Sequence, residues 1–226
     1  MRLVLVANRR SGSGRTDGER IAGLLTGRGA AVTARAAAAA GVPLAVLPAG
    51  TANDFATALN LPRDLERACA LAADPAARTR HREVGEANGH PFVNAAAAGL
   101  TAPHTPCTVR CDGETVFDGD AWQVVVAVSG AFGGGANIGG TRADDGRLHV
   151  AIVPAGSRLA LARHGYRMRR AMLTRQGDVP HHRGRVIDVD VAAGTEFNVD
   201  GDLRRLEPPR FTLADGGVQV VVPVRR

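Results

Sequence analysis

Lysine is missing altogether: all 28 basic side chains in the 226 residues are arginine. A Walker-type phosphate loop needs a lysine on the phosphates. A protein-kinase site needs its strand lysine. Schiff-base enzymes need an amine nucleophile. None of these can be built from this chain. Codon bias in a GC-rich genome accounts for the pattern by itself, since arginine, alanine and glycine are abundant together.

Other scarcities narrow the class further. Aromatic residues make up only 4% of the chain, which argues against single-stranded nucleic-acid surfaces, where bases stack on aromatic rings. No nucleic-acid partner is expected. Three cysteines, Cys69, Cys107 and Cys111, form an odd, scattered set. Cys107 and Cys111 with His104 make at most half of a zinc site, and no second Cys/His pair follows at ligand spacing. This usage suits a reducing cytoplasm. The apolar run at residues 3–7 is too short for a signal sequence, and no run is long enough to span a bilayer. Hydrophobic residues reach 45%, enough for a folded core. The net charge of +6 favours anionic partners such as nucleotides, phosphates or acidic membranes.

Periodicity divides the chain near residues 80–90. Before that point, short apolar runs at residues 3–7, 32–35 and 44–47 alternate with helical patterns at 17–26, from about 53, and at 65–73. Asp64 is the expected N-cap of the last. Strand-helix alternation predicts an α/β domain with a parallel sheet. Beyond it, strands are expected at 92–95, 108–111, 114–117, 123–128, 148–153, 186–191, 196–199 and 218–222. Asp112-Gly113 and Asp215-Gly216-Gly217 are hairpin signals. One helical stretch, 158–174, interrupts them. The expected architecture is an α/β nucleotide-binding domain over residues 1–85, with a truncated parallel sheet, then a mainly antiparallel β-sandwich over 86–226.

Four motifs carry candidate chemistry. Residues 8–14, Asn-Arg-Arg-Ser-Gly-Ser-Gly, lie between a strand and a helix, where glycines and free N–H groups admit an anion. Residues 48–56, Pro-Ala-Gly-Thr-Ala-Asn-Asp-Phe-Ala, repeat that geometry, with Gly50, Thr51, Asn53 and Asp54 at the C-terminal end of a strand. Gly133-Gly134-Gly135 followed by Asp144-Asp145-Gly146 offers a close approach and an oxygen ligand for a hard cation. Asp200-Gly201-Asp202 places two carboxylates two residues apart, suited to a base and a metal partner. Each also has a purely structural reading, as a turn or a capped helix start.

In order and spacing, these motifs resemble the diacylglycerol kinase catalytic family, which includes bacterial lipid kinases and sphingosine-type kinases. The stretch P-x-G-T-A-N-D-F-A is the most specific match. The resemblance implies Mg-ATP as phosphoryl donor and a lipid hydroxyl as acceptor. It places Asn8, Ser11, Gly12 and Gly14 on the phosphate side, with Thr33 and Thr51 contacting the nucleotide. It makes Asp145 a Mg2+ ligand, with the backbone carbonyls of Arg142 and Arg147. Asp202 matches the acidic general base, usually glutamate, with Asp200 beside it. The implied partners are a nucleotide and a lipid at a membrane surface, with a homodimer left open. The implied location is the cytoplasm, peripheral on the inner face of the membrane.

The departures from the family are specific. The G-G-D-G-T loop that cradles ATP phosphates is absent between Val32 and Val42, where residues 36–40 are all alanine. A helical segment after residues 92–100 is also missing. Arg9 stands where proline is usual. Asp202 is one methylene shorter than glutamate, a reach of roughly 1.5 Å. These differences support a second reading, a degenerate non-catalytic homologue or a gene fragment. A third, from a different class, is a basic surface module. Arg158, Arg163, Arg167, Arg169, Arg170 and Arg175 decorate an amphipathic stretch suited to anionic lipid.

Overall fold

The computed structural model describes residues 37, 40–48, 53–99, 105–129, 131–132, 136–137, 144–157, 164, 166 and 179–224. The elements expected at 3–7, 17–26 and 32–35, and all of the 158–174 stretch except helical His164 and Tyr166, lie outside them. The chain divides into two compact units, Met1–Arg82 with Gly216–Arg226, and Glu83–Asp215. The first break falls inside the expected 80–90 window. The last strand, however, returns to the first unit, which a linear division at residue 85 does not anticipate.

In the first unit, helix α1 spans Asp54–Ala58 and helix α2 spans Leu65–Ala73. Asp64 caps α2 as expected, accepting the Arg67 N–H at 2.9 Å. Ala68, Cys69 and Ala72 form its buried face. That helix lies against strand β15, Val218–Val222, which pairs antiparallel with β1, Arg78–Arg82. The strand expected at 44–47 contracts to a single parallel bridge, Leu44 to Val220, closed by hydrogen bonds of 2.7 and 2.9 Å.

The second unit is almost entirely antiparallel. Its strands are β2 (Gly85–Ala87), β3 (His90–Phe92), β4 (Ala95–Gly99), β5 (Thr105–Cys111), β6 (Glu114–Ala127), β7 (Ala131–Phe132), β8 (Ala136–Asn137), β9 (Leu148–Pro154), β10 (His181–Gly184), β11 (Val186–Val191), β12 (Glu196–Val199), β13 (Asp202–Arg205) and β14 (Arg210–Leu213). The main path runs β13-β12-β4-β6-β5-β11-β14-β2-β3, with β9 on β6 and β10 on β9. Expected fold class and observed architecture agree: an N-terminal unit, then a mainly antiparallel β-sandwich.

Strand β6 organises this unit. The residues expected to form two strands, 114–117 and 123–128, belong, Val128 excepted, to one strand of 14 residues. Asp118-Gly119-Asp120, between those two expected strands, stays extended because β5 pairs across it, Cys107 opposite Gly119 and Thr108 opposite Asp118. The Thr108 hydroxyl adds a 2.8 Å bond to the Asp118 carboxylate. The second half of β6 is buried on both faces. Val124 and Val126, with Val128 just past the strand, enter one apolar cluster, whereas Val125 and Ala127 enter another. A run without alternation is the signature of such double burial.

Three hairpin turns use the same device. Asn88-Gly89, Asp112-Gly113 and Asp200-Gly201 all have positive φ at both residues, as type I′ turns require. In each, the first side chain also binds the backbone of a strand distant in sequence. Asn88 accepts the Arg210 N–H and donates to the Pro208 carbonyl, both at 2.8 Å. Asp112 accepts from Arg185 and Val186 at 2.7 and 2.9 Å. Gly85 serves packing instead: any Cβ there would overlap the Phe92 ring.

Candidate functional site

The candidate residues fall in both units. Asn8, Ser11, Gly12, Gly14, Thr33, Gly50, Thr51 and Arg142 lie outside the described residues, as does Gly133-Gly134-Gly135. In the first unit, Asn53 and Asp54 do open a helix. Asn53, however, does not cap it with its side chain. Its backbone is left-handed, with φ 52°, and its amide turns back toward the Pro48 carbonyl at 3.3 Å. A capping side chain needs extended backbone at that position. The polar group is thereby tied to the end of the preceding segment.

In the second unit, Asp145 sits in the bend before β9 with its carboxylate mostly covered. Its Oδ2 meets Arg183 Nη1 at 3.2 Å. Its Oδ1 is sealed from solvent without a hydrogen-bond donor, 3.8 Å from His149 Nε2. The bend is fixed from below by Glu83, which accepts the Gly146 N–H at 2.7 Å and donates its own N–H to Asp144 at 3.2 Å. Arg147, exposed, pairs with Asp112 at 3.7 Å. Among the described residues no group of three His, Cys, Asp or Glu side chains clusters as a metal cage. A magnesium ion does not need one: it binds through one or two carboxylates and keeps waters. A buried carboxylate oxygen lacking a donor suits that single-carboxylate role, so Asp145 fits the ion.

Behind Asp145 lies a pair that sequence reasoning missed. His149, fully buried on β9, stacks on His181 of β10, with ring centroids 5.4 Å apart and Nδ1 to Nε2 at 3.2 Å. The β9–β10 register places His149 opposite Arg183. No spacing rule joins residues 32 positions apart; only the strand pairing does. Burial, then the neighbouring His149, His182 and Arg183, pushes the His181 pKa down from 6.5 to about 4.

A pH dependence follows. Between about pH 6.5 and 4 the unfolded chain binds a proton at His181 that the folded chain refuses. Stability from this group is therefore complete above the upper value and is lost as pH falls through the window. Discounted for the ring's partial exposure, the loss is about 2 kcal/mol. Urea midpoints at pH 7 and 4.5 should show that decline in the native protein and a flatter one in His181→Phe. Equal slopes would remove His181 as the cause.

Asp200 and Asp202 flank the β12–β13 turn, and their environments differ. Asp202 opens β13, exposed, with Arg204 at 3.4 Å. Such an exposed pair holds it weakly. Asp200, also exposed as a residue, binds its carboxylate to backbone amides: Val93 at 2.6 Å, Asn94 at 3.0 Å and Ala95 at 3.0 Å. Withdrawal from water raises its pKa, against the lowering effect of those bonds.

The buried thiols of Cys107 and Cys111 face the interior of the sandwich rather than a site, and burial lifts Cys107 to about 11, with Asp118 and Asp120 adding to it.

Family models match both units' sequences. The diacylglycerol kinase catalytic domain matches residues 21–85. The YegS C-terminal NAD kinase beta sandwich-like domain matches residues 72–222. The chain belongs to the YegS-type lipid kinase family. One relative in it, the probable lipid kinase YegS-like of Pseudomonas aeruginosa (strain PAO1), is 32% identical over 219 aligned positions, covering 80% of this chain and 68% of the relative. The aligned span exceeds the residues this chain contributes, so part of the YegS-like relative has no counterpart here. A diacylglycerol kinase of Staphylococcus epidermidis is 23% identical, with 80% and 66% covered. The fold recurs in a putative diacylglycerol kinase from Bacillus anthracis, with a TM-score of 0.75 at 18% identity over 98% of this chain and 97% of that one. Among the described residues no helix is long and apolar enough to cross a membrane.

Proposed function

We propose that the chain is an ATP-dependent lipid kinase, transferring the γ-phosphoryl group of Mg-ATP to a lipid hydroxyl such as that of diacylglycerol. The observation that carries this reading is the pairing of both family domains on one chain; the exposed carboxylate of Asp202, at the start of β13, is the group that the motif resemblance makes the general base. Phosphoryl transfer asks a protein mainly to position groups and neutralise charge. The lipid oxygen attacks the γ-phosphorus, its proton passes to the Asp202 carboxylate, and the bond to the β-phosphate oxygen breaks, releasing ADP. By the motif resemblance, backbone N–H groups around Ser11, Gly12 and Gly14, with Thr51, Asn8 and Thr33, would hold the nucleotide and its phosphates. Arginines supply the positive charge that lysine supplies elsewhere. By the motif resemblance, Asp145 and the backbone carbonyls of Arg142 and Arg147 would hold magnesium, which would supply charge neutralisation. The protein acts from the cytoplasmic face of a membrane, where its lipid lies.

The missing G-G-D-G-T loop favours a second reading, a relative that has lost catalysis. One experiment separates the two: labelled ATP, magnesium and diacylglycerol vesicles, with melting temperature followed in parallel. The kinase reading expects labelled phosphatidic acid and an ATP-dependent rise in melting temperature. Neither signal above background would leave the degenerate homologue.

A further inference from the structure

Asp200 makes an unusual number of bonds for a turn residue. Its carboxylate accepts three successive backbone N–H groups, from Val93, Asn94 and Ala95. Its own N–H donates to the Ala95 carbonyl at 3.0 Å. The other side of the turn is closed by the Gly201 N–H, which donates to Asn198 Oδ1 at 2.7 Å. The hairpin tip is thus fastened to the segment leading into β4. What lies beyond the tip is Asp202, the first residue of β13. That strand sits at the end of the sheet path and pairs with β12 alone. An edge strand held on one side opens more readily than its neighbours, so the position of Asp202 depends on how the turn is held.

We propose that Asp200 is a positioning residue for Asp202: it clamps the β12–β13 turn to residues 93–95, so that the neighbouring carboxylate is presented at a fixed place, and takes no proton from the substrate itself. A carboxylate has about four acceptor sites, and three amides already occupy Asp200. Asp202 faces solvent, where an acceptor hydroxyl can reach it. Misplacing a reacting group by about 1 Å can cost roughly a hundredfold in rate, so the clamp has leverage. This inference rests on Asp202 being the base.

The test compares Asp200→Asn, Asp200→Ala and Asn88→Ala, in the full chain. Asn88→Ala removes the same kind of clamp from the β2–β3 turn and serves as the control for simple loss of stability. Asp200→Asn keeps an oxygen for Asn94 and Ala95 but sets an amine against the Val93 N–H. Two readouts are taken: diacylglycerol phosphorylation against pH at saturating ATP, and amide exchange at residues 93–95 and 202–205. The expected result is a fall in kcat of about tenfold in Asp200→Asn and about a hundredfold in Asp200→Ala. KM for ATP should be nearly unchanged and the acidic limb of the rate profile retained. Exchange should quicken in both segments. Asn88→Ala should keep its kcat. Loss of the acidic limb in Asp200→Asn would make Asp200 the base and overturn the proposal. So would an equal loss of kcat in Asn88→Ala. If no variant, nor the native chain, phosphorylates lipid, the kinase reading fails separately. The clamp is then judged on exchange alone, and unchanged protection at 202–205 in Asp200→Asn and Asp200→Ala overturns it.

Discussion

Replacing Phe211 with alanine should cost 3–5 kcal/mol, on the order of half the stability of an ordinary domain. Phe211 is fully buried on β14. Its ring meets Phe92 edge-on, with centroids 6.4 Å apart and planes at 85°, and tilts onto Phe197 at 5.6 Å and 51°. These rings come from β14, β3 and β12. Along the sheet path β3 is the last strand and β12 the second. Contact between them requires the sheet to curl until its ends face each other, and Phe211 fills the space between. Alanine there leaves a cavity that backbone on three strands cannot collapse into. Phe211→Leu, which keeps most of the volume, should lose far less, about 1–2 kcal/mol. Urea titration followed by the single tryptophan, Trp122, measures both, since that residue lies on β6 and packs against its second apolar cluster. A Phe211→Ala loss below about 1 kcal/mol would mean that the ring cluster does not hold the sandwich closed.

Such long-range closure was not legible in the sequence, although much local structure was. Residues 65–73, 186–191, 196–199 and 218–222 fold as their periodicity predicts, because each pattern is satisfied within one element. The Asp112-Gly113 turn was equally plain, since positive φ is a local demand. Strands β10 and β13 were missed for the opposite reason. His-His-Arg-Gly and Asp-Leu-Arg-Arg have neither alternation nor β-branched residues, and only their partners β9 and β12 make them strands. Charged residues are usual on an edge such as β13, where they discourage pairing with another chain.

The candidate site divides along the same line. Asp200 and Asp202 stood out together as a pair of carboxylates suited to a base and a metal partner. Their separation into one carboxylate bound to amides and one open to solvent depends on residues more than a hundred positions away. Asp145 was marked by its motif, while Arg183, His149 and His181 around it were silent. A motif names the residue that meets a ligand; the residues that orient it are scattered wherever the sheet brings strands together.

Asp202 itself carries the largest expected effect on activity. Asp202→Asn should lower phosphoryl transfer to diacylglycerol by about 10²–10⁴-fold, the usual contribution of a general base. Stability should move by no more than about 0.5 kcal/mol, because the side chain is exposed. Its partner Arg204 lies 3.4 Å away, itself partly in water. The sharper test is Asp202→Glu. The carboxylate of this chain falls roughly 1.5 Å short of where the family's glutamate would place it, and a gap of that size is worth about two orders of magnitude in rate. If the surrounding site has kept the family's spacing, the longer side chain raises kcat by up to that factor. If the backbone has moved in to compensate for aspartate, glutamate overshoots and the rate falls instead. Either change marks position 202 as the base. A native rate in Asp202→Asn, measured with labelled ATP at saturating lipid, would show that the proton leaves by another route.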